Sequence, residues 1–257
     1  MKAIMFNTSE DVMEQARSKS LAQQARITGL FYLTVIAGGL FAEGFVRGSL
    51  IVPGDAAATV QSIAANESLW RLGLAVHLLY LVAAVMMNVL LYGLFKPVQA
   101  TLARLALVFS MTGVTVEAVN LLHLYVPLAM IDEGGALAAL DEGQRQALAY
   151  LAIRLFPTGW GFALLFFAGF CVPTGVLILR SHLMPRVIGA LMIVAGVCYL
   201  VNSLALILAP ALSSVLVPWI LLPCLLAELS LALWLAVKGV KMAAMEAHRA
   251  THSPPAS

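Results

Sequence analysis

The sequence predicts an all-α bundle of six transmembrane helices with both chain ends in the cytoplasm, and three observations point there. Of the 257 residues, 61% are hydrophobic and only 11% are charged, against about 25% charged in a typical soluble domain. The apolar residues gather into runs that match the roughly 17–25 residues needed to cross a bilayer. Lysine and arginine then divide unequally between the two ends of those runs. Sustained apolarity without a period of two favours helices over the strands of a membrane barrel.

The spans fall at about 27–46, 72–95, 104–130, 158–179, 186–209 and 215–237. Their separators carry turn and charge signals. Lys96-Pro97 ends the second run, Arg180 to Arg186 divides the fourth from the fifth, and Ala209-Pro210 through Ser213-Ser214 divides the fifth from the sixth. The expected organisation is a cytoplasmic tail over 1–25, a single membrane domain over 26–240 and a second cytoplasmic tail over 241–257. Residues 1–25 are mixed and polar, with Glu10, Asp11, Glu14, Arg17 and Lys19, and do not resemble a cleaved signal peptide.

Orientation follows from the basic residues. With six spans, 11 of the 15 lysines and arginines fall on the side of the termini, and only Arg47, Arg71, Arg145 and Arg154 fall on the other. The positive-inside rule places the larger set in the cytoplasm. An odd number of spans would spoil the partition. The net charge of +2, without a basic stripe interleaved with aromatics, argues against a nucleic-acid partner. The partner the composition demands is the lipid bilayer. Oligomeric state has no signature.

Two outer loops carry local signals. Pro53-Gly54-Asp55 reads as a turn followed by an N-cap, opening a short helix over Ala56–Ala65. Asp141 with Gln144 fits a capping box, and Ala147, Leu148 and Leu151 beyond it suggest an interfacial helix before the fourth span. Gly38, Gly39, Gly189 and Gly196 suit close helix contacts. Pro173 and Pro223 are placed to kink the fourth and sixth spans. Cys171, Cys198 and Cys224 lie in apolar runs without CxxC spacing and read as buried thiols.

Ionisable groups inside a membrane cost at least ~2.5–3.5 kcal/mol each on insertion scales, so each asks for a reason. The set is Glu43, His77, Glu117, His123 and Glu228, joined by the amides Asn88, Asn120 and Asn202. At about 1.5 Å per residue, Glu43, His77, Glu117, Asn120, Asn202 and Glu228 fall between the midplane and the outer face of a core ~30 Å thick. Asn88 is deeper on the cytoplasmic side and suits a helix–helix hydrogen bond. Five helices thus bring polar groups to one level, the arrangement an outward-facing pocket requires.

Three readings of that level stay open. The groups line a pocket that binds or passes a small ligand or a cation, or relays protons. They form a metal-dependent hydrolytic site, since carboxylates and imidazoles suit zinc or manganese. Or they are structural hydrogen bonds in a non-catalytic subunit or scaffold. No catalytic residue, metal ligand set or cofactor is specified: Glu117-Val-Asn-Leu-Leu-His123 is not HExxH, and there is no nucleophile elbow, P-loop or dinucleotide fingerprint.

Several stretches carry a resemblance. Arg26-Ile-Thr-Gly-Leu-Phe-Tyr-Leu33, Gly39-Leu-Phe-Ala-Glu43, Leu50-Ile-Val-Pro-Gly-Asp-Ala-Ala-Ala-Thr59 and Trp70-Arg-Leu-Gly73 resemble the membrane family catalogued as Domain of Unknown Function 4386, over about residues 20–240. The resemblance implies a multi-pass protein of the bacterial cytoplasmic membrane. It brings no activity, cofactor or site residue with it.

Overall fold

The computed structural model describes residues 9–131, 139–181, 183–217 and 219–240, with side chains from Lys19 onward. The expected tail over 241–257, the first eight residues of the chain and most of the 132–141 stretch lie outside the described residues. Within them there is helix and no strand. Helix α1 (Ser9–Gly39) continues through a π-helical segment, Leu40–Arg47, to Leu50. Then come α2 (Ala56–Ala65), α3 (Glu67–Phe95), α4 (Ala100–Asn120), α5 (Leu122–Ile131), α6 (Glu142–Ser181), α7 (Arg186–Leu208), the short α8 (Pro210–Leu216) and α9 (Leu222–Val237).

Among the described residues, six helices are long and apolar enough to cross a membrane: Lys19–Leu50, Glu67–Phe95, Ala100–Ile131, Glu142–Ser181, Arg186–Leu208 and Trp219–Val237. These are the six expected spans, the first four longer than expected and the last starting four residues later. The chief revision is at the fourth. The capping box is present, with Asp141 Oδ1 accepting from the Gln144 N–H at 2.8 Å and Gln144 Oε1 accepting from the Asp141 N–H at 3.0 Å. It opens no separate interfacial helix, however. It starts a continuous helix of 40 residues, because nothing between Gln144 and Pro157 breaks the hydrogen-bond ladder. Pro223 stands in the first turn of α9, where its missing N–H has no intrahelical acceptor. It therefore starts the sixth span and does not kink it. Part of the expected loop after Ala209 is helical, as α8, with Pro210 in its first turn.

The spans form an antiparallel ring. Each packs on its predecessor in sequence, and the sixth returns to the first. Small residues bring the backbones together. A Cβ at Gly29 would lie 2.2 Å from the backbone N of Ala236, so α1 and α9 meet almost main chain to main chain. Gly175 and Gly189 make the matching approach between α6 and α7, where a Cβ on either would meet the carbonyl oxygen of the other within 2.8 Å. Gly38 faces Tyr80 and Gly196 faces Val172, but Gly39 has nothing near it and makes no such contact.

The far end of the ring, opposite the termini, is tied by α2. Gly54 turns the chain with φ of 84°, and Asp55 caps α2, its Oδ1 accepting from the Ala58 N–H at 2.9 Å. Tyr150 of α6 accepts at its hydroxyl from the Gly54 N–H at 2.7 Å. The buried indole of Trp70 donates to the Leu124 carbonyl at 2.9 Å.

Candidate functional site

A ring of six helices that pack mainly on their neighbours leaves a space at its centre. Here that space is a cavity of about 510 Å³, walled by α1, α3, α4, α6, α7 and the start of the sixth span. Leu40 on α1's π-helical extension and Leu225 on α9 line it and are also exposed, which puts its mouth between those helices toward the far end. The wall is mostly apolar, with three carboxylates on it: Glu43, Glu117 and Glu228.

Glu117 anchors a buried triangle. Its Oε1 accepts from the Tyr80 hydroxyl at 2.5 Å and lies 3.0 Å from His77 Nε2, and the Tyr80 oxygen is 2.5 Å from the same Nε2. His77 and Tyr80 stand three residues apart on one face of α3, so both reach across to α4. The pattern is satisfied when Tyr80 donates to Glu117 and the Nε2–H tautomer of His77 donates toward the same oxygens. His77 Nδ1 is then a buried acceptor, and it has no partner. Both hydrogen bonds to the Glu117 carboxylate fall on Oε1, leaving Oε2 to the cavity.

Glu228 sits across the ring. The Tyr199 hydroxyl of α7 donates to its Oε1 at 2.6 Å, and Tyr32 of α1 approaches the same carboxylate. Glu43 lies in the π-helical segment, half exposed, and forms an ion pair with Arg47. Arg47 itself is only 6% exposed. Its guanidinium lies over the Phe156 ring, 4.6 Å from the centroid, a cation–π contact that offsets part of its burial.

The structure therefore brings Glu43, Glu117 and Glu228 to one cavity, with His77 immediately behind Glu117. It does not bring Asn120 or Asn202 there. Asn120 donates from Nδ2 to the Phe156 carbonyl at 2.8 Å, tying α4 to α6. Asn202 is buried on α7 away from the wall, with its Oδ1 unpartnered. Asn88 reaches the cavity wall, but its amide donates to Ala84 of its own helix at 2.8 Å and so does not bridge helices. His123 turns to the Asn120 carbonyl of its own span. Among the described residues no three His, Cys, Asp or Glu side chains gather closely enough to hold a metal ion, and all three cysteines are free.

Four important residues escape a search for costly polar groups. Tyr32, Tyr80 and Tyr199 are cheap to bury, so their presence raises no alarm; the signal for Tyr80 is its spacing of three from His77. Arg47 counts as an outer-loop charge in the sequence, and the sign that it turns inward is its spacing of four from Glu43.

Comparison with known proteins agrees with this architecture without adding a chemistry. No curated protein and no solved structure matches the chain. A family match extends over residues 27–239, reaching into all six spans, and the chain belongs to the family described as Domain of unknown function (DUF4386).

Proposed function

We propose that this protein is a ligand-binding protein of the bacterial cytoplasmic membrane, which holds or passes a small molecule in the cavity at the centre of its helix ring. The observation that carries the reading is the cavity itself. At about 510 Å³ it is in the range of sites for small organic ligands, which combine apolar walls with a few placed polar groups. A purely structural role for Glu117 and Glu228 leaves unexplained why the helices stand apart between them, where close packing is the rule. The metal-hydrolase reading has weaker support, because the carboxylates stand on different walls and do not converge on a point.

Filling the cavity tests the proposal. Leu225 lies at the mouth, so Leu225→Trp should occlude the cavity while leaving the ring's contacts in place. Titration calorimetry on the purified full chain, with the neutral probe triphenylphosphine oxide and its charged tetraphenyl relatives, should detect binding of at least one probe to the parent protein and none to the variant. Failure of every probe to bind the parent, or equal binding to both proteins, overturns the cavity as a ligand site.

A further inference from the structure

The cavity wall combines carboxylates with an aromatic lining. Six aromatic side chains face it: Tyr32, Tyr80, Trp160, Phe167, Phe170 and Tyr199. Three carboxylates share the wall, and among the described residues no lysine or arginine lines it. Arg47, buried close to this wall, is engaged by Glu43 and stacked on Phe156. Hydrogen bonds to Glu117 and Glu228 come from hydroxyl and imidazole groups, and Arg47 lies near enough to Glu117 to act on it through its charge. They stand on opposite sides of the ring.

Resting on the reading of this cavity as a ligand site, we propose that its ligand is a monovalent organic cation with an apolar body, such as a quaternary or protonated amine carrying aromatic or aliphatic groups. Aromatic faces attract a desolvated cation through their quadrupoles and attract organic ammonium groups especially well. A carboxylate in an apolar surround gains most from an opposite charge brought against it. An anion would meet three carboxylates, with the nearby Arg47 already paired with one of them, Glu43. A bare or hydrated metal ion would find its oxygen ligands dispersed among apolar walls, whereas hard cations need oxygen on every side. An apolar body satisfies the wall, and a single charged group can meet Glu117 Oε2 or Glu228.

Tetraphenylphosphonium and tetraphenylborate have the same shape and opposite charge, and triphenylphosphine oxide supplies a neutral relative. Calorimetric titration of the purified full chain should show the phosphonium binding about tenfold or more tightly than the borate or the oxide. Glu117→Gln and Glu228→Gln, made singly and checked for unchanged melting behaviour, keep the side-chain shape; at least one should weaken phosphonium binding about tenfold while changing the oxide little. Binding of the oxide or borate as tight as the phosphonium, or phosphonium affinity unmoved in both variants, overturns the cationic ligand while the cavity reading survives through its loss in Leu225→Trp. No binding by any of the three probes removes both.

Discussion

His77 Nε2 lies 3.0 Å from Glu117 Oε1 across the contact between the second and third spans, and the Tyr80 hydroxyl closes the same triangle from one turn along α3. All three side chains are buried. Their positions are mutually dependent: each touches the other two, so removing any one takes a buried polar contact from both that remain.

Tyr80→Phe removes one donor and keeps the ring. It should destabilise the protein by about 1–2 kcal/mol, because the Glu117 oxygen loses a buried hydrogen bond. His77→Ala should cost more, about 2–4 kcal/mol, by adding a cavity to the lost partner. Thermal or denaturant unfolding in one detergent ranks the two. Equal stability of all three proteins would show that the triangle contributes nothing to folding.

At the seam between α1 and α9, Gly29→Ala places a methyl group against the Ala236 backbone. The helices must separate, at a cost of about 1–3 kcal/mol. Gly39→Ala is the matched control: nothing lies within 4 Å of its added carbon, so the expected change is neutral or a gain of up to about 1 kcal/mol in helix propensity. A Gly29→Ala protein that melts with the parent would contradict the tight seam.

Asp55 caps α2 through the Ala58 N–H. Asp55→Ala should cost about 1 kcal/mol, expressed locally as faster hydrogen exchange at the first amides of α2. Exchange unchanged at those amides, with accelerated exchange in the spans, would show that Asp55 acts on the ring and not on its own helix.

Topology has its own measurement. Reporter fusions after Lys241 should behave as cytoplasmic and fusions at Ala57 as periplasmic, as the distribution of lysine and arginine requires. The reverse pattern would invert the direction in which the cavity opens.

Much of the fold was legible because a bilayer imposes a simple rule: long apolar runs must be helices. Local punctuation was equally readable where backbone chemistry is short-range, as at Asp55 and at the Asp141–Gln144 box. The level of Glu43, His77, Glu117 and Glu228 could be read from helical rise alone. What could not be read was direction around each helix axis. Asn120 and Asn202 were placed at that level but stand off the cavity wall, Asn120 bonded to α6, since depth along an axis says nothing about rotation. The π-helical segment at Leu40–Arg47 compounds this, for it shifts the facing of every later residue in the first span without marking the sequence. Ring closure was also out of reach. It depends on a pairing between Gly29 and Ala236 that no local pattern announces.

That pairing has a consequence for biogenesis. The triangle of His77, Tyr80 and Glu117 joins consecutive spans and can assemble as soon as the third has left the translocon. The seam between α1 and α9 joins segments separated by roughly 200 residues, and such distant contacts form late. Until the last helix docks, the future cavity is a groove whose carboxylates face lipid along one open side. A nascent chain halted before α9 therefore leaves the wall that carries Glu117 open to the bilayer.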